Sequence, residues 1–286
     1  MMTRGVTVSR AGPLADAIAG KRGYAMSSHL SITTEAVDAV LVIRLNDTKA
    51  LNAISLEMVE ELMEAFRLAS RTKRAIMLTG YGRAFCSGIN LRSMTIDFDG
   101  DYDGGAALES HINPLMMLIR DLPIPFVTAV NGLAAGIGST IALAGDYIVA
   151  AEQAYFLQAF RQVGIAPDGG TAYVLAKAIG RVRAMEMMLL GERISAAKAL
   201  DWGLINRVTA NDDVESVALD IARSLASGPT KALGEIRKSC WHALEAGFAE
   251  KLTKERDVQR ELGKTADHRE AIAAFMEKRP PIFSGS

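Results

Sequence analysis

The sequence predicts an α/β core with helices added at its C-terminal end. Two observations carry that prediction. Strand-helix-strand runs recur through the first half of the 286-residue chain, and a strand that returns after one helix implies a crossover and parallel pairing. From Thr171 onward the apolar spacing is helical throughout. No internal repeat and no Pro/Ser-rich linker divides the chain into independent halves.

Taken in order, residues 1–25 carry Arg4, Arg10, Lys21 and Arg22 against a single acid, Asp16. They read as an extended leader, native or introduced, that need not pack; the bias also fits a transit peptide. A core is expected over 26–210 and a helical region over 211–286. Met26 opens what reads as a strand pair, whose second member is Val40–Leu45. Ser55 is placed to cap a helix with Leu56, Val59, Leu62, Met63 and Phe66 on one face and Glu57, Glu60, Glu61 and Glu64 on the other. Ala75–Thr79 is the next strand. Residues 95–105 (TIDFDGDYDGG) read as an acidic surface loop, and Glu109–Arg120 as a helix stopped by the prolines at 123 and 125.

Phe126–Asp146 (FVTAVNGLAAGIGSTIALAGD) is the stretch around which the chain is organised. Phe126–Val130 is a buried strand, a small-residue turn follows, and Ser139 opens a short buried helix. Strands are expected at Tyr147–Ala150 and near Tyr155–Leu157. Beyond them come helices ended by Gly180, Gly191 and Gly203, the last capped by Ser195, then Val214–Ala226, Pro229–Trp241, about 245–263 and Asp267–Arg279.

Composition narrows the class. A charged fraction of 23% and a hydrophobic fraction of 49% are those of a globular protein, and a net charge of −1 gives no field favouring nucleic acid or anionic membrane. No run approaches the roughly 18 uninterrupted apolar residues of a membrane span. Two cysteines, Cys86 and Cys240, form no disulfide framework, so a reducing cytoplasm is expected. Four scattered histidines without a C-x-x-C argue against a metal site.

The glycines at 136 and 138 let the backbone bend tightly and a ligand approach it closely. The helix that follows begins with unpaired N–H groups, which suit an oxygen that becomes negative during a reaction. The local pattern is equally that of a packing turn. It is a poor dinucleotide-binding loop, because Gly136-Ile137-Gly138 lacks the third glycine of that fingerprint. A second glycine-bearing turn, GYGRAFCSGINLRSM at 80–94, follows another apolar strand. Two such turns could direct two N–H donors at one oxygen, and this favours the ligand reading.

Several motifs in order, TKALNA (48–53), GRAFCSGINL (82–91), AVNGLAAGIGSTIALAGD (129–146), APDGGTAYVLAKAIGRVRA (166–184) and GERISAAKALDWGLINRV (191–208), resemble the crotonase (enoyl-CoA hydratase/isomerase) superfamily. The resemblance runs from about Ser31 to the C-terminus, and is strongest to the ring-epoxyphenylacetyl-CoA isomerase branch. It implies stacked β-β-α units with a helical C-terminal region that builds homotrimers or hexamers. It also implies an acyl-CoA thioester substrate, with no cofactor beyond the coenzyme A of that substrate. By motif position, the thioester oxygen is held by the N–H groups of Ile89 and Ile137. CoA contacts fall to Lys49, Ala50, Leu51, Ser87, Gly88, Asn90 and Gly136; many relatives carry aspartate at the position of Asn90.

An α-proton of an acyl-CoA becomes acidic only if the enolate oxygen is stabilised as it forms; losing one such donor typically costs about 2.7–4 kcal/mol. A carboxylate must then take and return the proton. The two glutamates of the family's hydratases correspond here to Thr140 and Phe160, neither of which moves a proton. Asp168, in Ala166-Pro167-Asp168-Gly169-Gly170, remains. Taken alone it reads as a turn former or a cap for the helix at 171; the resemblance makes it the base of a single-carboxylate isomerase. A hydratase with unusual residues and a crotonase-fold binding or assembly protein without catalysis are the alternatives. Cys86 is expected to pack, and the methionines at 116, 117, 185, 187 and 188 to fill the core.

Overall fold

Val40–Leu45 (β2) and Phe126–Val130 (β5) are rich in apolar, β-branched residues, and in a computed structural model both are interior strands of one six-stranded sheet. The structure describes residues 31–92, 100 and 102–286. The expected leader, and residues 95–99 and 101 of the expected acidic loop, lie outside the described residues.

Ile32–Val37 (β1) pairs antiparallel with β2, and β2 pairs parallel with Ala75–Gly80 (β3). The sheet continues through β5, Tyr147–Ala151 (β7) and Arg207–Thr209 (β10), all parallel. Every residue of β3 and β5 is buried, as expected for strands covered on both faces. Between β2 and β3 runs the helix Leu56–Thr72 (α1), where Ser55 Oγ accepts the Met58 N–H as the capping pattern predicts. Its buried face is Met58, Val59, Leu62, Ala65, Phe66 and Ala69; Leu56 is exposed.

A second sheet joins Ala84–Cys86 (β4), Leu133–Ala135 (β6), Tyr155–Leu157 (β8) and Arg193–Ser195 (β9). The first three are parallel and β9 is antiparallel to β8. Each long strand β3, β5 and β7 is thus followed by a short one in the second sheet, giving stacked β-β-α units. The expectation of helix throughout from Thr171 is corrected by β9 and β10, each too short for a period-2 signal to stand out.

The remaining helices are Asn113–Arg120 (α2), entered by one wide π turn over Leu108–Ile112, Ile137–Leu143 (α3), Thr171–Leu190 (α4) and Ala196–Asp201 (α5). Val214–Ser227 (α6) follows, and its alanine-rich face, Ala218, Ala222 and Ala226, packs on the six-stranded sheet. Thr230–Ala243 (α7), Phe248–Leu262 (α8) and Ala266–Glu277 (α9) complete the chain. Gly180, with φ 75°, breaks α4 where the sequence placed a helix end. The buried helix opens at Ile137, two residues before the expected Ser139, because Gly136 turns the chain directly out of β6. Among the methionines, Met187 is in the core, whereas Met117 and Met185 are exposed rather than core filler. No helix among the described residues is long and apolar enough to cross a membrane.

Candidate active site

The second sheet builds the site. β4, β6 and β8 pair in parallel, with Cys86 opposite Ala134 and Ala135 opposite Leu157. Their carboxyl ends therefore lie side by side, and the segments that leave them, 87–89, 136–137 and 158–160, converge. Gly88 (φ 100°) and Gly136 (φ 51°, ψ −128°) take backbone conformations that L side chains rarely adopt. A Cβ on Gly88 would come within 3.2 Å of the Ala135 carbonyl oxygen and 3.9 Å of Gly136 Cα. The two glycine turns singled out from sequence are thus in contact.

Each turn presents an N–H outside the regular ladders. Ile89 forms an isolated parallel bridge with Ile54, made by Ile54 N donating to Gly88 O (2.7 Å) and Asn90 N donating to Ile54 O (2.9 Å). That bridge consumes the amides on either side of Ile89 and leaves its own N–H facing away. Ile137 is the first residue of α3, whose N–H has no acceptor within the helix. Its predecessor's N–H, by contrast, is taken by the Leu157 carbonyl at 2.9 Å.

Phe160 is buried beside the same turn, 3.9 Å from where a Gly136 Cβ would stand. Gln158, fully buried, donates from Nε2 to Ser139 Oγ (3.1 Å) and ties this segment to α3. Cys86 packs onto Gly138, where any Cβ would collide with its side chain. Burial pushes the Cys86 thiol up to about 12, so it is a packing residue, as expected, and no nucleophile.

Asp168 lies on the turn before α4. Gly169 (φ 56°) lies so close to Ile137 that a Cβ would collide with Ile137 Cδ1, and it also faces Ile112. The turn carrying Asp168 thus rests on the side chain of Ile137, the first residue of α3. Asp168 Oδ1 is buried, and among the described residues it has no hydrogen-bond partner. Burial raises the Asp168 carboxyl above the ordinary aspartate range, with only its own backbone N–H pulling the other way. The helix-cap reading is not what the side chain does: Gly170 is the N-cap of α4, and the Asp168 carbonyl, not its carboxylate, accepts the Thr171 N–H (2.9 Å) and hydroxyl (2.7 Å).

The segment of the expected CoA contacts is tied to the first turn. Ser87 Oγ donates to Ala50 O (3.0 Å) and Ser87 N to Leu51 O (3.0 Å), while Leu51 itself turns with φ 55°. Lys49 is exposed, and Asn90 Oδ1 accepts the Arg92 N–H (3.2 Å). Tyr173 is stacked on Trp241 of α7 with ring centroids 6.5 Å apart. Groups of three or more His, Cys, Asp or Glu able to hold a metal do not occur among the described residues.

A family profile described as enoyl-CoA hydratase/isomerase matches residues 35–286. The chain belongs to the enoyl-CoA hydratase/isomerase family. It is 39% identical over 257 residues to the 1,2-epoxyphenylacetyl-CoA isomerase of Escherichia coli K12, covering 89% of this chain and 98% of that protein. It is 40% identical over 263 residues to a Rhodobacter capsulatus protein named "Probable enoyl-CoA hydratase", covering 91% and 100%. Among solved structures, an enoyl-CoA hydratase subunit I from Geobacillus kaustophilus superposes with a TM-score of 0.84 at 34% identity, covering 91% of this chain and all of that one. This enoyl-CoA hydratase/isomerase family enzyme therefore has the crotonase fold, and its relatives carry both isomerase and hydratase names.

The sequence reading missed residues that hold the site together. Gln158 lies outside the sequence motifs, and Ser139 and Thr171 lie inside them without having been given a bonding role; the signal for all three is a buried polar side chain, which must find a partner.

Proposed function

We propose that the protein is an acyl-CoA isomerase that moves a double bond, or rearranges a ring epoxide, through a thioester enolate. The observation that carries this reading is Asp168: a carboxylate with a buried, unpartnered oxygen, on a turn seated against Ile137, with Thr140 and Phe160 where a second acid would be needed. Its raised affinity for a proton suits a group that must take one from carbon and give it back. As the proton leaves, the charge moves to the thioester oxygen, and the N–H groups of Ile89 and Ile137 hold it there. Asp168 then returns the proton to another carbon of the allylic system, so one carboxylate suffices. Lys49, Ala50, Leu51, Ser87, Gly88, Asn90 and Gly136 would line the CoA end.

The hydratase-named relative favours hydration of a 2-enoyl-CoA as the second reading. Incubating the protein with crotonyl-CoA and with a 3-enoyl-CoA separates the two. Double-bond shift of the 3-enoyl-CoA is expected; fast hydration without any shift would overturn the isomerase reading. A homotrimer or hexamer belongs to the same proposal. It is supported by exposed apolar side chains on the C-terminal helices, Phe248, Phe275 and Met276. Light scattering during size-exclusion chromatography measures the assembly, and a monomer at micromolar concentration would overturn it.

A further inference from the structure

We infer that Thr171 and Thr140 are positioning residues, a directional hydroxyl chain that holds the turn of Asp168 at a fixed place relative to the oxyanion helix α3. The inference rests on the proposed role of Asp168 as base.

Both threonines are buried, each 1% exposed. Thr171 Oγ1 donates to the Asp168 carbonyl at 2.7 Å, which uses its only proton. The contact between Thr140 Oγ1 and Thr171 Oγ1, at 2.5 Å, must therefore have Thr140 as donor. The alternative acceptor for Thr140 is the Gly136 carbonyl one turn back, at a long 3.4 Å. The proton order is thus fixed: Thr140 on α3 gives to Thr171 on α4, and Thr171 gives to the backbone of Asp168.

The chain connects the two parts of the site that must keep a constant separation. α3 begins with Ile137, the N–H donor proposed for the thioester oxygen. The Asp168 turn has no strand or helix of its own; Gly169 and Gly170 (φ 56° and 82°) follow it and supply no side-chain packing. The contact of Gly169 with Ile137 sets how near the turn can come, and the hydroxyl chain keeps it from moving away. A loss of about 1 Å in the placement of a reacting group is enough to slow chemistry by about 10²-fold.

Four variants assayed on a 3-enoyl-CoA test this. Thr171→Val keeps shape and removes the hydroxyl; a kcat about tenfold lower, with KM within about twofold, is expected for a misplaced base. Thr171→Ser restores the hydroxyl and should recover turnover to within about threefold of the parent. Thr140→Val cuts the same chain from its other end, and the double valine variant should be no slower than Thr171→Val alone. The acid limb of kcat should also move to lower pH in both valine variants, because a released Asp168 meets water and loses the burial that raises its proton affinity. A purely structural role would lower the melting temperature and leave that limb in place.

Parent-like kcat in Thr171→Val, or an unmoved limb, overturns the positioning role while leaving the base assignment standing. Should Thr171→Val fail to fold, Thr140→Val reads the same limb, and an unmoved limb there overturns it equally. Asp168→Asn separates the two failures: turnover retained in that variant overturns the base assignment, and the positioning role with it.

Discussion

Two aspartates of this chain are pushed up in proton affinity by burial, and they sit in opposite surroundings. Asp146, after α3, accepts the Phe126 N–H (2.8 Å) and the Arg237 Nε–H (2.8 Å) through one oxygen, and these partners oppose the effect of its burial. Asp168 has a buried oxygen with no partner among the described residues, and only its own N–H opposes. A carboxylate whose charge is met by its neighbours, as that of the partly exposed Asp146 is, is a structural device; a buried oxygen left unmet costs stability and persists where function needs it. Arg237 shows how complete the first case is. Besides Asp146 it donates to the carbonyls of Ile119, Arg120 and Leu122, closing the end of α2 and pinning α7 to the α/β body.

Removing that arginine breaks the contrast from one side and should have the largest effect. Arg237→Met leaves Asp146 with the Phe126 N–H alone and frees the carbonyls at the end of α2. Removing one partner of a buried pair costs about 3–5 kcal/mol, and the partial exposure of Asp146 puts the expected loss at the low end of that range. The midpoint of urea unfolding is expected to fall accordingly; an unchanged midpoint would mean that α7 is held by apolar packing alone.

Asp168→Asn comes next. It keeps the shape of the turn and removes the base, so kcat should fall by about 10²-fold or more. CoA affinity should hold, because the substitution keeps the shape of the turn and Asp168 is not among the residues proposed for CoA. Turnover near that of the parent protein refutes the base assignment.

Gly169→Ala follows. A non-glycine residue in the left-handed region costs about 1–2 kcal/mol, and the new Cβ must also displace the Ile137 side chain. Melting temperature and kcat should both fall, by less than in the first two variants. Full activity would show that the contact between the Asp168 turn and Ile137 does not govern the site.

The same contrast marks what could be read from the chain before its structure. Asp168, Ile89 and Ile137 were singled out because glycine turns flank them and the family resemblance gives them roles, whereas β2, β3, β5 and α1 were legible because their apolar spacing is long enough to carry a period. β4, β6 and β9 are three residues each, shorter than any period-2 signal. Yet the pairing of β4 with β6 is what brings Gly88 against Gly136. The partners of Asp146 and of Thr140 were illegible for another reason. Arg237 lies 91 residues from Asp146 and Thr171 lies 31 from Thr140, and no local pattern encodes a hydrogen bond over such separations.

The smallest expected effect sharpens the comparison most, because it reads the unmet carboxylate of Asp168 directly. Burial places the folded-state pKa of Asp168 above its unfolded value. Below the ordinary aspartate pKa of about 3.9 the carboxyl is protonated in both states and contributes no charge penalty. As pH rises through the folded value, the folded protein must hold an ionised carboxylate with a buried, unpartnered oxygen, while the unfolded chain gives it to water. Stability is therefore lost over that window, and it stays lost at neutral pH. Asp168→Asn has no such loss, so its melting temperature should exceed that of the parent at neutral pH and converge with it in acid. Melting curves of Asp168→Asn against the parent across this range test this. A destabilised Asp168→Asn at neutral pH would mean that its carboxylate is held by a partner after all, and would move Asp168 into the structural class of Asp146.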